Sequence, residues 1–385
     1  MIEILKKKAR LGVIIFLYFL LFVIVVKRSV LNINSRSQII DFIIVLVIIL
    51  YSILKIYFNQ DAGNWGTDQY TYYYHFFLPL RDITWSEFIS TNFTQKEFGF
   101  KLVLWIIINV KVLTFLQFQI VMFLLELIPI FIISRFINHN KEIDIILFTF
   151  IVYPFFANGA TNVLRQGLAL GLLMIAYLWS LKNSNEKGIF KQFTMLFIVV
   201  ASFFHQTALM LALMWLFIIF TRKRIKLHCF WIISIIFGFL DITNINQRLF
   251  GSIGSMFSDN YDLYIDPTAQ ANYGLGSKYS FVFISFLLAV ILNYLFKQVK
   301  YEEKEKAELL LKQYLGSVSA FFAFSFIAFA DRIGMYAWTV APMIAFYFID
   351  KMDESKPRRF FLVMIPIFCL LIGYGMSSGS YFVNR

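Results

Sequence analysis

The sequence predicts an all-α membrane protein, a polytopic bundle of roughly 11–13 transmembrane helices. Three observations carry this reading. Of its 385 residues 59% are hydrophobic and only 15% charged, with 47 Phe and a mean hydropathy of +0.71, the composition of a chain whose solvent is mostly lipid. Apolar runs of about 17–25 residues, each sufficient for one crossing, recur along its whole length. The Lys and Arg residues cluster in short polar loops between those runs, so membrane topology accounts for the net charge of +12 without any nucleic acid. The expectation is one integral membrane domain over residues 1–385 with no soluble domain beside it.

The elements follow in order from charge and hydropathy. The basic start Lys6-Lys7-Lys8-Ala9-Arg10 and the apolar run 11–26 resemble a signal peptide, but Lys27-Arg28-Ser29 follows with no small-residue cleavage pattern, so the segment is expected to be retained. The first long loop, residues 59–97, holds Arg81 and Lys96 against Asp61, Asp68, Asp82, Glu87 and Glu97, and reads as extracytoplasmic. That placement sends the basic N-terminus outward, against the charge rule. Two readings stay open: residues 11–26 do not cross fully, or residues 98–134 cross twice. Farther on, Thr221-Arg222-Lys223-Arg224-Ile225-Lys226 has four basic residues in six and must be cytoplasmic. The basic loops 182–191, 297–306 and 351–359 fall on the same side, each two spans away. The turns between them are expected on the outer face: residues 158–165, 202–206 and 247–278, the pair Asp331-Arg332 and the tail after Met376. Within 247–278, glycine and serine flank an Asp- and Tyr-rich stretch, 259–273, of a length that suits a lid. Cys229 and Cys369 have neither disulfide nor metal-site spacing. No internal repeat is visible, which weighs against transporters built from repeats.

Arg165 is the most informative single residue. It stands in Asn162-Val163-Leu164-Arg165-Gln166-Gly167-Leu168-Ala169, a full charge where a long apolar segment begins, and such a charge needs a partner or a task. Other chemistry-bearing residues share its boundary. Gly66-Thr67-Asp68-Gln69-Tyr70-Thr71-Tyr72-Tyr73-Tyr74 sets an acid before a run of tyrosines. Glu97-Phe98-Gly99-Phe100 opens the next apolar segment, Phe203-Phe204-His205-Gln206-Thr207-Ala208 puts a histidine at a hairpin tip, and Arg332 lies at similar depth. Each also has a purely structural reading. The tyrosines form an aromatic belt, Asp68 and Glu97 cap helices, His205 is a hydrogen-bonded turn residue, Arg332 pairs with Asp331, and Arg165 balances a carboxylate inside the bundle.

In order and spacing these elements, Gly-Thr-Asp with following tyrosines, Glu97-Phe98-Gly99-Phe100, Arg165-Gln166-Gly167-Leu168-Ala169 and Phe204-His205-Gln206-Thr207-Ala208-Leu209, resemble the EpsG-type branch of the Wzy polysaccharide polymerases. The resemblance covers residues 38–220 by motif and the remainder by topology and Arg332. It departs in one place. Where the family often has an arginine shortly before Gly-Thr-Asp, this chain has Asn59-Gln60-Asp61 and Asn64-Trp65, so that basic contact is either missing or supplied elsewhere, by Arg81.

The resemblance implies a membrane glycosyltransferase of GT-C-like fold. Such an enzyme joins oligosaccharide units carried on undecaprenyl pyrophosphate, at the outer face of the bacterial inner membrane; no cofactor is expected, and no metal, since the outer loops hold no acidic pair at ligand spacing and no His cluster. The lipid-linked oligosaccharide and the bilayer are the implied partners, together with a chain-length regulator. Arginines suit the leaving pyrophosphate, so Arg165, Arg332 and Arg81 are expected in substrate binding. The sugar hydroxyl needs a base, His205 or one of the carboxylates Asp68 and Glu97. Tyr70 and Tyr73 are expected to stack on sugar rings. A lipid-linked-glycan flippase would instead line a central cavity with basic residues, and a membrane O-acyltransferase would favour a cytoplasmic or mid-membrane histidine.

Overall fold

The computed structural model describes residues 38–60, 67–93, 95, 97–138, 142–161, 163–182, 189–254, 278–327, 330–352 and 355–378. The N-terminal span, residues 61–66 and the expected lid 259–273 lie outside them. The described chain is helical, with a single isolated β-bridge between Val299 and Met352. In chain order it runs α1 (Gln38–Gln60), α2 (Thr67–Thr71), α3 (Trp85–Asn92), α4 (Phe98–Val110), α5 (Phe115–Asn138), α6 (Ile143–Val152), α7 (Pro154–Thr161), α8 (Leu164–Lys182) and α9 (Ile189–Phe204). It continues through α10 (Thr207–Thr221), α11 (Leu227–Ile242), α12 (Ile245–Gly254), α13 (Lys278–Lys297), α14 (Lys304–Phe324), α15 (Asp331–Trp338), α16 (Ala341–Asp350) and α17 (Ser355–Ser378).

Four stretches are long and apolar enough to cross a membrane: Phe115–Ile137, Leu164–Lys182, Tyr279–Lys297 and Asp331–Asp350. Two sharply bent pairs, α6 with α7 at 81° and α11 with α12 at 103°, raise the number to six if each pair is one broken span. The protein is thus all-α and multi-pass. The larger number of crossings expected from hydropathy also counted residues 1–37, which are not described, and shorter apolar helices such as Phe98–Val110 and Thr207–Thr221.

The chain forms two compact units. The first comprises Met1–Thr91, Lys101–Leu164 and Glu354–Arg385. Its centre is α6, buried on every side from Asp144 to Val152, as a helix apolar all round must be. Tyr153, extended at ψ 119, precedes Pro154, whose ring disfavours a helical residue before it and suits the first position of the next helix. The bend between α6 and α7 follows. At the start of α3, Thr84 and Glu87 form a reciprocal cap: the Thr84 amide donates to the Glu87 carboxylate at 2.9 Å, and the Glu87 amide to the Thr84 hydroxyl at 3.4 Å.

The second unit comprises Asn92–Phe100 and Arg165–Asp353. Its axis is α14, buried along most of its length and packed by α10, α11, α12, α13 and α15. Several polar groups inside are paired, as a medium without water favours. Ser234 Oγ donates to the Leu315 carbonyl at 3.0 Å, the Tyr314 hydroxyl to the Ser285 carbonyl at 2.8 Å, and Trp338 Nε1 to Ser285 Oγ at 2.8 Å. Asn244, left-handed at φ 56, turns α11 into α12, a conformation asparagine tolerates. Asn246 then donates from Nδ2 to the Phe322 carbonyl at 2.8 Å and holds the corner down.

At one end of this unit the basic loops gather. Lys312 Nζ donates to the Ile225 carbonyl at 2.7 Å, Arg222 pairs with Glu305 at 3.6 Å, and the Lys300 amide donates to the Lys351 carbonyl at 2.9 Å. The loops expected to share a side, 221–226, 297–306 and the one that opens at Lys351, therefore do meet. Most of the fourth, 182–191, lies outside the described residues.

Candidate active site

The other end of the second unit is built from the first turns of four helices. Glu97 directly precedes α4 at φ 62, a left-handed conformation that a residue with a Cβ rarely adopts. Two residues on, Gly99 lies against the tip of the α9–α10 hairpin. A Cβ there would sit 3.1 Å from the Phe203 Cβ and 3.2 Å from its carbonyl carbon and oxygen, so the close approach depends on glycine. The tip itself is narrow. The His205 amide closes α9 onto the Ala201 carbonyl at 3.1 Å, and the His205 carbonyl accepts from the Ala208 amide in the first turn of α10 at 3.0 Å.

These constraints bring the side chains together. The Arg165 guanidinium, in the first turn of α8, donates through Nη1 to Oε2 of Glu97, a pair mostly shielded from solvent. The second carboxylate oxygen, Oε1, faces His205 Nε2 at 3.9 Å. On the opposite edge of the imidazole, Nδ1 lies 2.6 Å from Thr207 Oγ1, which is 2.8 Å from the Tyr336 hydroxyl; that hydroxyl is also 3.3 Å from Nδ1. Gln166 Nε2 donates to the Arg332 backbone carbonyl and ties the first turn of α8 to that of α15. Gln166 is fully buried, and its own Oε1 has no hydrogen-bond partner among the described residues.

Arg165 and Arg332 bring positive charge to the site, and Glu97 and Asp331 bring negative charge. His205 sits in the turn, outside both helices. Burial first, then the neighbouring charges of Arg165 and Arg332, push its pKa down to about 3, so the ring is neutral at ordinary pH. The first turns of α4, α8, α10 and α15 add the positive ends of four helix dipoles and their spare backbone amides. Two guanidinium groups and four helix N-termini, set against the carboxylates of Glu97 and of Asp331 in the first turn of α15, can take an anion beside a pair able to handle a proton.

Of the residues singled out from sequence, the structure joins Glu97, Arg165 and His205 directly and brings Arg332 to them through Gln166. Asp68, Tyr70, Tyr73 and Arg81 belong to the first unit. There Asp68 opens the short α2. Tyr70 is exposed and packs on Tyr74 with ring centroids 4.2 Å apart. Tyr73 is buried between Phe77 and Phe118, and its hydroxyl donates to the Leu113 carbonyl at 2.8 Å. Arg81 is exposed, its amide closing a turn onto the Leu78 carbonyl.

Three contributors received no role from the sequence. Gln166 and Thr207 stood inside quoted motifs, beside residues of stronger chemistry. Tyr336 had one faint signal: it follows Arg332 by four residues, which puts both on one face of α15. Among the described residues no group of three or more His, Cys, Asp or Glu is arranged to hold a metal ion.

Neither a curated protein nor a solved structure matches the chain. A family model does, over residues 53–383, a stretch that contains every residue of the site, and on that match the protein belongs to the EpsG family.

Proposed function

We propose that this protein is a polysaccharide polymerase of the Wzy kind, which joins oligosaccharide repeat units carried on undecaprenyl pyrophosphate at the extracytoplasmic face of the bacterial inner membrane. The observation that carries this reading is the meeting of Arg165, Arg332 and four helix N-termini around the Glu97–His205 pair. A leaving pyrophosphate needs dense, fixed positive charge, supplied most efficiently by donors already in place before the bond breaks. A sugar hydroxyl needs a proton acceptor at the same spot. Both requirements fall within one site here, at the end of the second unit opposite the basic loops. The charge rule makes those loops cytoplasmic and this site extracytoplasmic.

In this reading no metal is needed, because the guanidinium groups neutralise the pyrophosphate and side chains move the proton. Chelators should leave chain extension unchanged. Tyr70 and Tyr74, the exposed rings of the tyrosine run, are the candidates for stacking on sugar faces. A chain-length regulator would be the protein partner.

Deletion of the gene is the direct test. A polymerase mutant should still display surface glycan carrying a single repeat unit, without extension. Loss of every exported unit would identify a flippase instead, and an intact ladder lacking only acyl groups would identify an acyltransferase.

A further inference from the structure

We propose that Thr207 and Tyr336 are positioning residues that hold His205 in the tautomer protonated on Nε2, so that His205 orients the acceptor hydroxyl as a hydrogen-bond donor and Glu97 takes its proton. This rests on the polymerase reading above, whereas the tautomer assignment rests on the neutral ring and on the hydrogen-bond geometry around it.

The two edges of the imidazole have different partners. Nε2 faces a carboxylate oxygen, Glu97 Oε1, at 3.9 Å. An ionised carboxylate only accepts, so the favourable arrangement places the ring hydrogen on Nε2, and the opposite tautomer would set a lone pair against negative charge. Nδ1 must then accept. Thr207 Oγ1, 2.6 Å away, supplies the hydrogen, and its own lone pair accepts from the Tyr336 hydroxyl at 2.8 Å. Every hydrogen in the run from Tyr336 through Thr207 to His205 points the same way. The carboxylate is divided as well: Oε2 is bound by Arg165, and Oε1 is the oxygen turned to the histidine.

The separation of Nε2 and Oε1 is too long for a direct hydrogen bond, and an oxygen set to one side of the line between them can lie about 2.8 Å from each. A sugar hydroxyl seated there accepts from Nε2–H and donates to Oε1. As its oxygen forms a bond to the anomeric carbon of the donor unit, the bond from that carbon to the pyrophosphate oxygen breaks. The electron pair leaves on the pyrophosphate, beside Arg165 and Arg332, and the hydroxyl proton passes to Glu97. Of the three bases that the sequence leaves open, His205, Asp68 and Glu97, this selects Glu97. The left-handed backbone at Glu97 fits that choice, because such strain persists where the surrounding structure holds a group in place.

The test has two parts, both on the full chain in nanodiscs. Histidine labelled with ¹⁵N in both ring positions, with a His205→Gln sample to assign the His205 signals, should report a protonated Nε2 and an unprotonated Nδ1. Thr207→Val, nearly isosteric, should shift the ring toward the other tautomer, and Thr207→Ser should restore it. Chain-length distributions should follow: Thr207→Val and Tyr336→Phe reduced about 10²-fold or more, Thr207→Ser near wild type, Glu97→Gln without extension. A wild-type ring protonated on Nδ1, or normal extension by Thr207→Val, overturns the proposal. Failure of the polymerase reading is recognised separately, since Arg165→Ala would then leave glycan chain length untouched whatever the tautomer.

Discussion

Arg165 and Glu97 are 68 residues apart in the chain, yet each is the other's immediate partner. Their pairing admits a structural role and a chemical one, and substitution separates the two. If the guanidinium serves pyrophosphate through parallel hydrogen bonds, an ammonium keeps the charge but not the fork. Arg165→Lys and Arg165→Ala are then both expected to stop glycan at one repeat unit, read on a gel normalised to membrane protein. If the residue merely balances Glu97, Lys should restore the ladder and Ala should chiefly lower protein abundance. His205 yields a second prediction at this scale. Its folded pKa lies well below the unfolded value of about 6.5, so between the two the unfolded chain binds a proton that the folded protein does not. Stability from this group is complete above about pH 6.5 and declines as pH falls toward the folded value. Thermal unfolding in detergent should therefore show a smaller loss between pH 7 and pH 5 for His205→Gln than for the wild type. Equal losses in the two proteins would contradict the neutral, buried histidine.

The elements place these residues by close contact rather than by long reach. The turn before α4 and the α9–α10 hairpin touch at Gly99, where no Cβ fits without displacing the backbone of Phe203. Gly99→Ala is expected to push Glu97 and His205 apart and to lower chain extension by about 10²-fold, the typical cost of a small misplacement of catalytic groups. Gly251→Ala, where an added Cβ meets nothing within 4 Å among the described residues, is the control and should leave extension unchanged. At the other end of the unit, α14 carries a buried ammonium, Lys312, which donates to the Arg222 and Ile225 carbonyls and pairs with Glu308 at 2.6 Å. It satisfies the carbonyls of the turn after α10, groups that would otherwise lack donors. Lys312→Met should cost about 1–3 kcal/mol of stability, measured by thermal unfolding, while the folded fraction keeps its activity.

For the whole molecule, sidedness is the property that function depends on, and α10 offers a direct measurement. Its two ends carry Gln206, exposed at the tip beside the site, and Lys223, in the basic loop. In a background lacking Cys229 and Cys369, Gln206→Cys should react with an impermeant thiol reagent in cells with a permeabilised outer barrier, and Lys223→Cys should not. Reversed labelling would place the site in the cytoplasm and end the polymerase assignment. Amino-acid composition alone determined that the chain is helical and lives in lipid, because a bilayer admits few alternatives to the helix for an apolar chain of this length. Charge position determined which loops share a side, since the cost of moving Lys and Arg across lipid is paid residue by residue and needs no tertiary contact. The two charges that pair with each other were legible for the same reason: Arg165 and Glu97 stand where a charge is expensive. Which residues those charges meet was decided only by the fold. The Glu97–Arg165 pair, the Gln166 link to Arg332 and the Tyr336–Thr207–His205 run join segments tens to more than a hundred residues apart. A hydroxyl or an amide carries no hydropathy signal that distinguishes a site residue from an ordinary polar one, and its role appears only when packing brings its partner within hydrogen-bond distance.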